Sequence, residues 1–181
     1  MPRLQAIDLK DATGQSRTLL EGVQEKFGMV PNLIRTLANS SAALQAYLAF
    51  ADALETGVLP AKLREQIALT VSEANGCGYC VAAHCAIGKT VGLSDTEASD
   101  ARQVSSPDSQ VEAALQFARQ IVDKRGWVSD EDVDQVRQAG YGDAEIAEIV
   151  AVVSWKMFAN YFNHVAGTEV DFPEVPQVHA A

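Results

Sequence analysis

Apolar residues recur along this chain at helical spacing. Leu19, Leu20, Val23 and Phe27 stand at i, i+1, i+4 and i+8, which is one face of a helix. A second stripe, Leu44, Tyr47, Leu48, Ala51 and Leu54, predicts a helix over Ala43–Glu55. Pro60 suits a first helical position and opens Ala61–Glu73, where Leu63, Ile67 and Val71 fall four apart. Asn75-Gly76 reads as a stop. The next helix starts at Cys77-Gly78 and runs to about Lys89. Ser94-Asp95-Thr96-Glu97 has the capping-box pattern and predicts a short helix. Ser106-Pro107-Asp108 breaks it and begins a longer one, with Val111, Leu115, Ala118 and Val122 on one face. Ser129 caps another, ending near Gly140, and Gly142-Asp143 opens the last, to about His164. From Thr168 the chain carries Pro173 and Pro176 and is predicted to be extended. No segment alternates with period two, so the expectation is an all-α fold with no sheet. No linker is long enough to divide it, and a single domain over residues 1–181 is expected. Arg64–Ser72 and Ala147–Ser154 echo each other weakly, as a duplicated helical pair would.

Composition narrows the classes of function. The 181 residues are 48% hydrophobic, enough to bury a core. The formal net charge of -10 repels phosphate backbones and anionic membranes, so neither nucleic acid nor membrane is expected as a partner. The longest apolar stretch, near Ile149–Phe158, falls short of the ~20 residues that span a bilayer. The N-terminus lacks the apolar run of a secretory signal, and a cytoplasmic location is expected.

The three cysteines change the picture, because Cys77, Cys80 and Cys85 all fall within nine residues. A secreted scaffold spreads its cysteines along the chain, whereas a tight cluster points to redox chemistry or metal binding. Cys77, Cys80 and His84 stand at i, i+3 and i+7 and share one helix face. Cysteines three apart on a helix have Cβ atoms roughly 5–6 Å apart, close enough for a disulfide after modest adjustment. They also fall in the first turn, where unpaired N–H groups favour a thiolate. A pKa lowered from about 8.5 to about 6.5 raises the thiolate fraction at neutral pH ~25-fold, but lost nucleophilicity leaves a net gain of only about threefold. An acid for the departing group is therefore needed as well. His84 is the nearest candidate; Glu65, on the preceding helix, could orient or recharge it, although taken alone it reads as a solvated helix charge. Cys85 points away from this face and reads as a small core residue. Tyr79, Asn160 and His164 read as packing or interface residues, and His179 lies in the tail.

Glu65, Cys77-Gly78-Tyr79-Cys80 and His84, set within Arg64-Glu65-Gln66-Ile67, Val71-Ser72 and Asn75-Gly76, resemble the alkylhydroperoxidase AhpD core of the carboxymuconolactone decarboxylase-like superfamily, in its peroxidase-related subgroup. The motif covers about Leu63–Gly88, within a core of about residues 60–91. Asn160-Tyr161-Phe162-Asn163-His164 and Asp171-Phe172-Pro173 extend the likeness toward the C-terminus. The resemblance implies an all-α AhpD-like fold with the Cys-x-x-Cys at a helix N-terminus, assembled as a trimer or hexamer. It implies a thiol-dependent antioxidant peroxidase without cofactor or metal. Cys80 would attack a hydroperoxide, Cys77 would resolve the sulfenic acid as a disulfide, and Glu65 and His84 would relay the proton. A dithiol or protein reductant would reset the pair. Better-characterised members carry a histidine immediately before the second cysteine, where this chain has Tyr79.

Other readings use the same residues. A thioredoxin-type enzyme also carries Cys-x-x-Cys, but after a strand, and here the preceding segment reads as helix. A lactone decarboxylase would not need the cysteine pair. A protein thiol-disulfide relay would. Zinc could take Cys77, Cys80 and His84, with His164 as a fourth ligand, although structural zinc usually draws two separated ligand pairs. The remaining alternative is a structural helical oligomer with incidental thiols.

Overall fold

The computed structural model describes residues 1–176 and 178, and His179 lies outside them. Among the described residues there are helices and no strands, as expected. They are α1 (Gly14–Phe27), α2 (Asn32–Leu37), α3 (Ser41–Glu55), α4 (Ala61–Ala74), α5 (Gly78–Thr90), α6 (Asp95–Arg102), α7 (Ser109–Asp123), α8 (Asp130–Gln138) and α9 (Asp143–Ala166). The capping signals act where the sequence placed them. Ser94 and Glu97 form a reciprocal capping box on α6, as do Ser129 and Asp132 on α8, and Asp108 caps α7. Pro60 differs slightly: it is the cap residue of α4, one position ahead of the first helical turn. The sequence pattern did not reveal α2, because six residues are too few to display a 3.6-residue period. From Thr168 to Pro176 there is no regular element.

α4 is the central helix, packed against α5, α6, α7 and α9. It is buried on nearly every side from Leu63 to Ser72, so its sequence is apolar beyond one stripe. The echo between Arg64–Ser72 and Ala147–Ser154 lies on α4 and α9, which pack on each other. One apolar cluster joins α4, α6, α7 and α9 through residues such as Ile67, Leu115 and Ile149. A second joins α1, α2 and α3 to the start of α5, through Leu20, Leu37, Leu44 and Cys80. Trp155 of α9 packs against both clusters. Phe27 is a correction: expected on the buried face of α1, it is 59% exposed. The end segments are tied down by polar contacts. The Arg3 amide donates to Ala166 O, the Asn32 amide donates to Asp171 Oδ2 at 2.7 Å, and Arg102 donates to Pro176 O at 2.8 Å.

Candidate active site

The turn between α4 and α5 sets the cysteines. Gly76 has φ of +65°, a left-handed conformation that an L side chain adopts only with strain. Its N–H donates to Glu73 O and the Cys77 N–H donates to Ser72 O, which is a Schellman closure of α4. Cys77 then caps α5, its sulfur accepting from the Cys80 N–H at 3.4 Å. One residue thus ends α4 and starts α5, and Cys80 falls in the first turn of α5.

The two thiols are unequal. Both are free and buried, with the sulfurs 2.7 Å apart and the Cys77 thiol donating to Cys80 Sγ. Asn163 of α9 points its amide N–H groups at the pair, 3.2 Å from Cys80 Sγ and 3.9 Å from Cys77 Sγ. The hydrogen bond from Cys77 holds the Cys80 pKa down to about 7, helped by Asn163, Asn160 and the Lys156 charge, against the opposing effect of burial. Cys77 moves far upward, because its proton is held by the neighbouring sulfur and because it is buried. Asn163 Oδ1 is buried without a hydrogen-bond partner among the described residues. Leaving such an atom unsatisfied costs about 1–3 kcal/mol, so the amide is oriented for sulfur at the expense of its own oxygen.

His84 lies between two charged groups. Its Nδ1 is 2.7 Å from Glu65 Oε2 and its Nε2 is 2.7 Å from Lys156 Nζ. Burial pushes the Glu65 carboxyl up, but the His84 ring, Lys156 and Arg64 together bring it below its ordinary value. Burial and then the Lys156 charge push His84 down. The consistent assignment is an ionised Glu65 accepting from Nδ1–H and a neutral ring whose Nε2 accepts from the Lys156 ammonium. Lys156 is only 1% exposed, and its Nζ stands 3.3 Å over the Trp155 ring centroid. Desolvation lowers its pKa to about 8.

These groups open on a cavity of about 200 Å³ lined by Cys80, His84, Glu65 and Lys156 together with Tyr47, Trp155, Leu33 and Phe172. Its walls are mostly apolar, and its volume is below the roughly 300–1,000 Å³ usual for drug-sized ligands. The exposed Phe27 stands in its lining. A wider groove of about 700 Å³ runs along another side of α5 beneath the C-terminal segment. It holds Cys85 but neither Cys77 nor Cys80, so the smaller cavity is the one that serves the thiol pair.

The four residues singled out in the sequence, Glu65, Cys77, Cys80 and His84, are thus brought together. Cys85 is half-buried against the other core cluster, away from the pair. Tyr79 lies on the cavity wall, and its hydroxyl accepts from the Leu33 N–H at 3.0 Å. That contact joins α5 to α2, and burial raises the Tyr79 pKa. His164 is exposed, whereas Cys77, Cys80 and His84 are buried. Among the described residues no group of three or more His, Cys, Asp or Glu is arranged around a metal position. Lys156 and Asn163 were missed, and Asn160 was read as structural. All three are polar residues at i, i+4 and i+7 in an apolar helix, a stripe that could have flagged them.

The site is thus a buried, asymmetric cysteine pair at a helix N-terminus in an all-helical, AhpD-like fold. Residues 41–124, which contain all four sequence-predicted site residues, match the carboxymuconolactone decarboxylase family. The fold resembles the alkylhydroperoxidase AhpD core, an uncharacterized peroxidase-related protein of Ralstonia eutropha JMP134. The TM-score is 0.83 at 28% identity, over 94% of this chain and 92% of that one. An uncharacterized peroxidase-related protein of Silicibacter sp. TM1040 is similar, with TM-score 0.79 and 25% identity over 93% of this chain and 94% of that one. A variant of the debrominase Bmp8, in complex with 2,3,4-tribromopyrrole, shares the fold, with TM-score 0.80 and 21% identity over 93% of this chain and 91% of that one. No curated protein matches in sequence. The resemblance read from the motif therefore holds for the fold, and over residues 41–124 the sequence is similar to the carboxymuconolactone decarboxylase family.

Proposed function

We propose that this protein is a thiol-dependent hydroperoxidase acting on small apolar hydroperoxides. The observation that carries the reading is the Cys80 sulfur, which accepts from the Cys77 thiol and the Asn163 amide at the wall of an apolar cavity. The Cys80 thiolate attacks the terminal peroxide oxygen, the O–O bond breaks, and an alcohol leaves with a proton from the relay that includes Glu65 and His84. Cys77, already in contact, condenses with the sulfenic acid to give the disulfide and water. A dithiol slender enough to enter the cavity then restores both thiols.

Burial argues against the runner-up, a disulfide relay to a folded protein. Cys77 and Cys80 are 1% and 3% exposed, and a disulfide on a protein surface does not reach them. A second reading changes only the electrophile. The aromatic walls of Tyr47, Trp155 and Phe172 suit a small ring, and the similar fold of the debrominase carries a bromopyrrole. Two thiols and an aryl bromide would give the disulfide, the debrominated ring and hydrogen bromide.

The test is a rapid-mixing reaction of fully reduced protein with tert-butyl and cumene hydroperoxide, followed by mass-spectrometric mapping of both cysteines. The expected result is a Cys77–Cys80 disulfide that Cys80→Ser abolishes, and a sulfenic acid on Cys80 in Cys77→Ser. Absence of oxidation with either peroxide, alongside turnover of a bromopyrrole, would transfer the assignment to the second reading.

A further inference from the structure

We propose that Lys156 is the catalytic acid of this site: its ammonium gives the proton to the group that Cys80 displaces, while Glu65 and His84 position it. The inference deepens the thiol-peroxidase reading and rests on Cys80 as the attacking sulfur.

The geometry leaves the imidazole no free nitrogen. Nδ1 is engaged by Glu65 and Nε2 by Lys156, so a proton for the departing oxygen has to come from the next group in line. Lys156 is that group, and it lines the same cavity as Cys80. The other titratable groups facing it are unsuited. Glu65 is held ionised and acts as an acceptor. Burial raises the pKa of Tyr47 on α3 and of Tyr79 on α5, which makes both poor acids. Glu55, toward the end of α3, is paired with Lys26. Cys77 keeps its proton for the second step.

The setting of Lys156 is also that of a donor. A buried ammonium is normally paired with a carboxylate. Lys156 instead has His84 as a neutral acceptor and the Trp155 face beneath it, with no carboxylate within ion-pair distance among the described residues. A carboxylate would hold the proton in place. An imidazole and a ring face steady the charge and leave an N–H for the substrate. Burial keeps the ammonium acidic enough to give that proton up near neutrality.

The step balances. The Cys80 thiolate bonds to the terminal oxygen of ROOH, the O–O bond breaks, and RO⁻ takes a proton from the Lys156 ammonium. The products are Cys80 sulfenic acid, ROH and neutral Lys156. Cys77 then forms the disulfide and releases water. When an external dithiol reduces the disulfide, the proton arriving on Cys80 passes to Lys156 and restores the thiolate–ammonium pair.

The test compares two leaving groups. Lys156→Met is reacted, reduced, with tert-butyl hydroperoxide, whose alkoxide needs a proton, and with 2,2′-dipyridyl disulfide, whose leaving group does not. The ratio of the two rates cancels any change in Cys80 ionisation. We expect that ratio to fall by about 10²–10⁴-fold relative to the unsubstituted protein. An equal loss with both reagents, or no loss, overturns the proposal. Should Lys156→Met fail to fold, the unsubstituted protein decides. Its hydroperoxide rate should turn down above about pH 8 while its dipyridyl disulfide rate does not, and a shared plateau overturns the proposal. If the unsubstituted protein is inert to the hydroperoxide, the peroxidase reading falls. Hydroxyethyl disulfide, with its basic leaving thiolate, then replaces the peroxide in the same ratio and in the same pH comparison, and the same outcomes decide for or against Lys156.

Discussion

At the scale of single residues, the site works by making two neighbouring thiols differ. Cys77 donates its proton to Cys80 and so becomes hard to ionise, while Cys80 becomes easy to ionise. Replacing Cys77 with Ala removes the largest stabilising contact. The pH at which Cys80 alkylation by iodoacetamide is half-maximal should then rise from about 7 toward its ordinary value of 9.0. Replacing Glu65 with Gln leaves the fold intact but weakens the hold on His84 Nδ1. Peroxide consumption should slow by about 10²-fold with an unchanged circular-dichroism spectrum, and unchanged turnover would remove Glu65 from the mechanism. Cys77, Cys80 and His84 were legible in the sequence, because helix periodicity places i, i+3 and i+7 on one face without help from the rest of the molecule, whereas Glu65, on the preceding helix, was legible only through the family resemblance. Tyr79 was not assignable there. Whether a tyrosine packs or acts depends on what meets its hydroxyl, and here that is the Leu33 amide of α2.

At the scale of elements, the α4–α5 turn and the face of α9 divide the work. Gly76 at φ of +65° lets the Cys77 N–H reach Ser72 O, which fixes where α5 begins. Gly76→Ala should cost about 1–2 kcal/mol in urea denaturation. Its effect on Cys80 reactivity should exceed that of Gly22→Ala, a glycine within α1 that has open space at its Cβ position. α9 contributes Lys156, Asn160 and Asn163 from one side. The signal for this was present, three polar residues at i, i+4 and i+7 within an apolar helix, but nothing local says that this side faces the cysteines. That follows from α9 packing on α4 and α5.

At the scale of the whole molecule, a buried lysine has a cost that depends on pH. Lys156 has a folded pKa of about 8 against an ordinary 10.5, so the unfolded chain binds more protons between those values. Stability therefore rises with pH across that window and is lower below it. Relative to Lys156→Met, the unsubstituted protein should gain about 2 kcal/mol between pH 8 and pH 9.5, read from urea midpoints; parallel curves would contradict the assignment. The outer side of α9 carries Val150, Phe158, Tyr161 and Val165, all more than 40% exposed and within one face of the helix. Exposed apolar stripes of this kind mark association surfaces. We expect a homo-oligomer by light scattering, a trimer or hexamer, that Phe158→Glu with Val165→Glu converts to monomer.

By itself the sequence determined the helices other than α2, the caps, the stop at Asn75-Gly76 and the Cys77, Cys80 and His84 stripe. These depend on contacts within a few residues, and such contacts leave periodic or positional signatures. Only the tertiary structure decided that α9 supplies an amide to the sulfurs and an ammonium to the imidazole. It alone decided that Tyr79 is engaged by α2, and that Cys80 opens on a small apolar cavity. Those arrangements join residues far apart in the chain, 46 positions for Leu33 and Tyr79 and 72 for His84 and Lys156, and the packing of one helix on another leaves no local pattern to read.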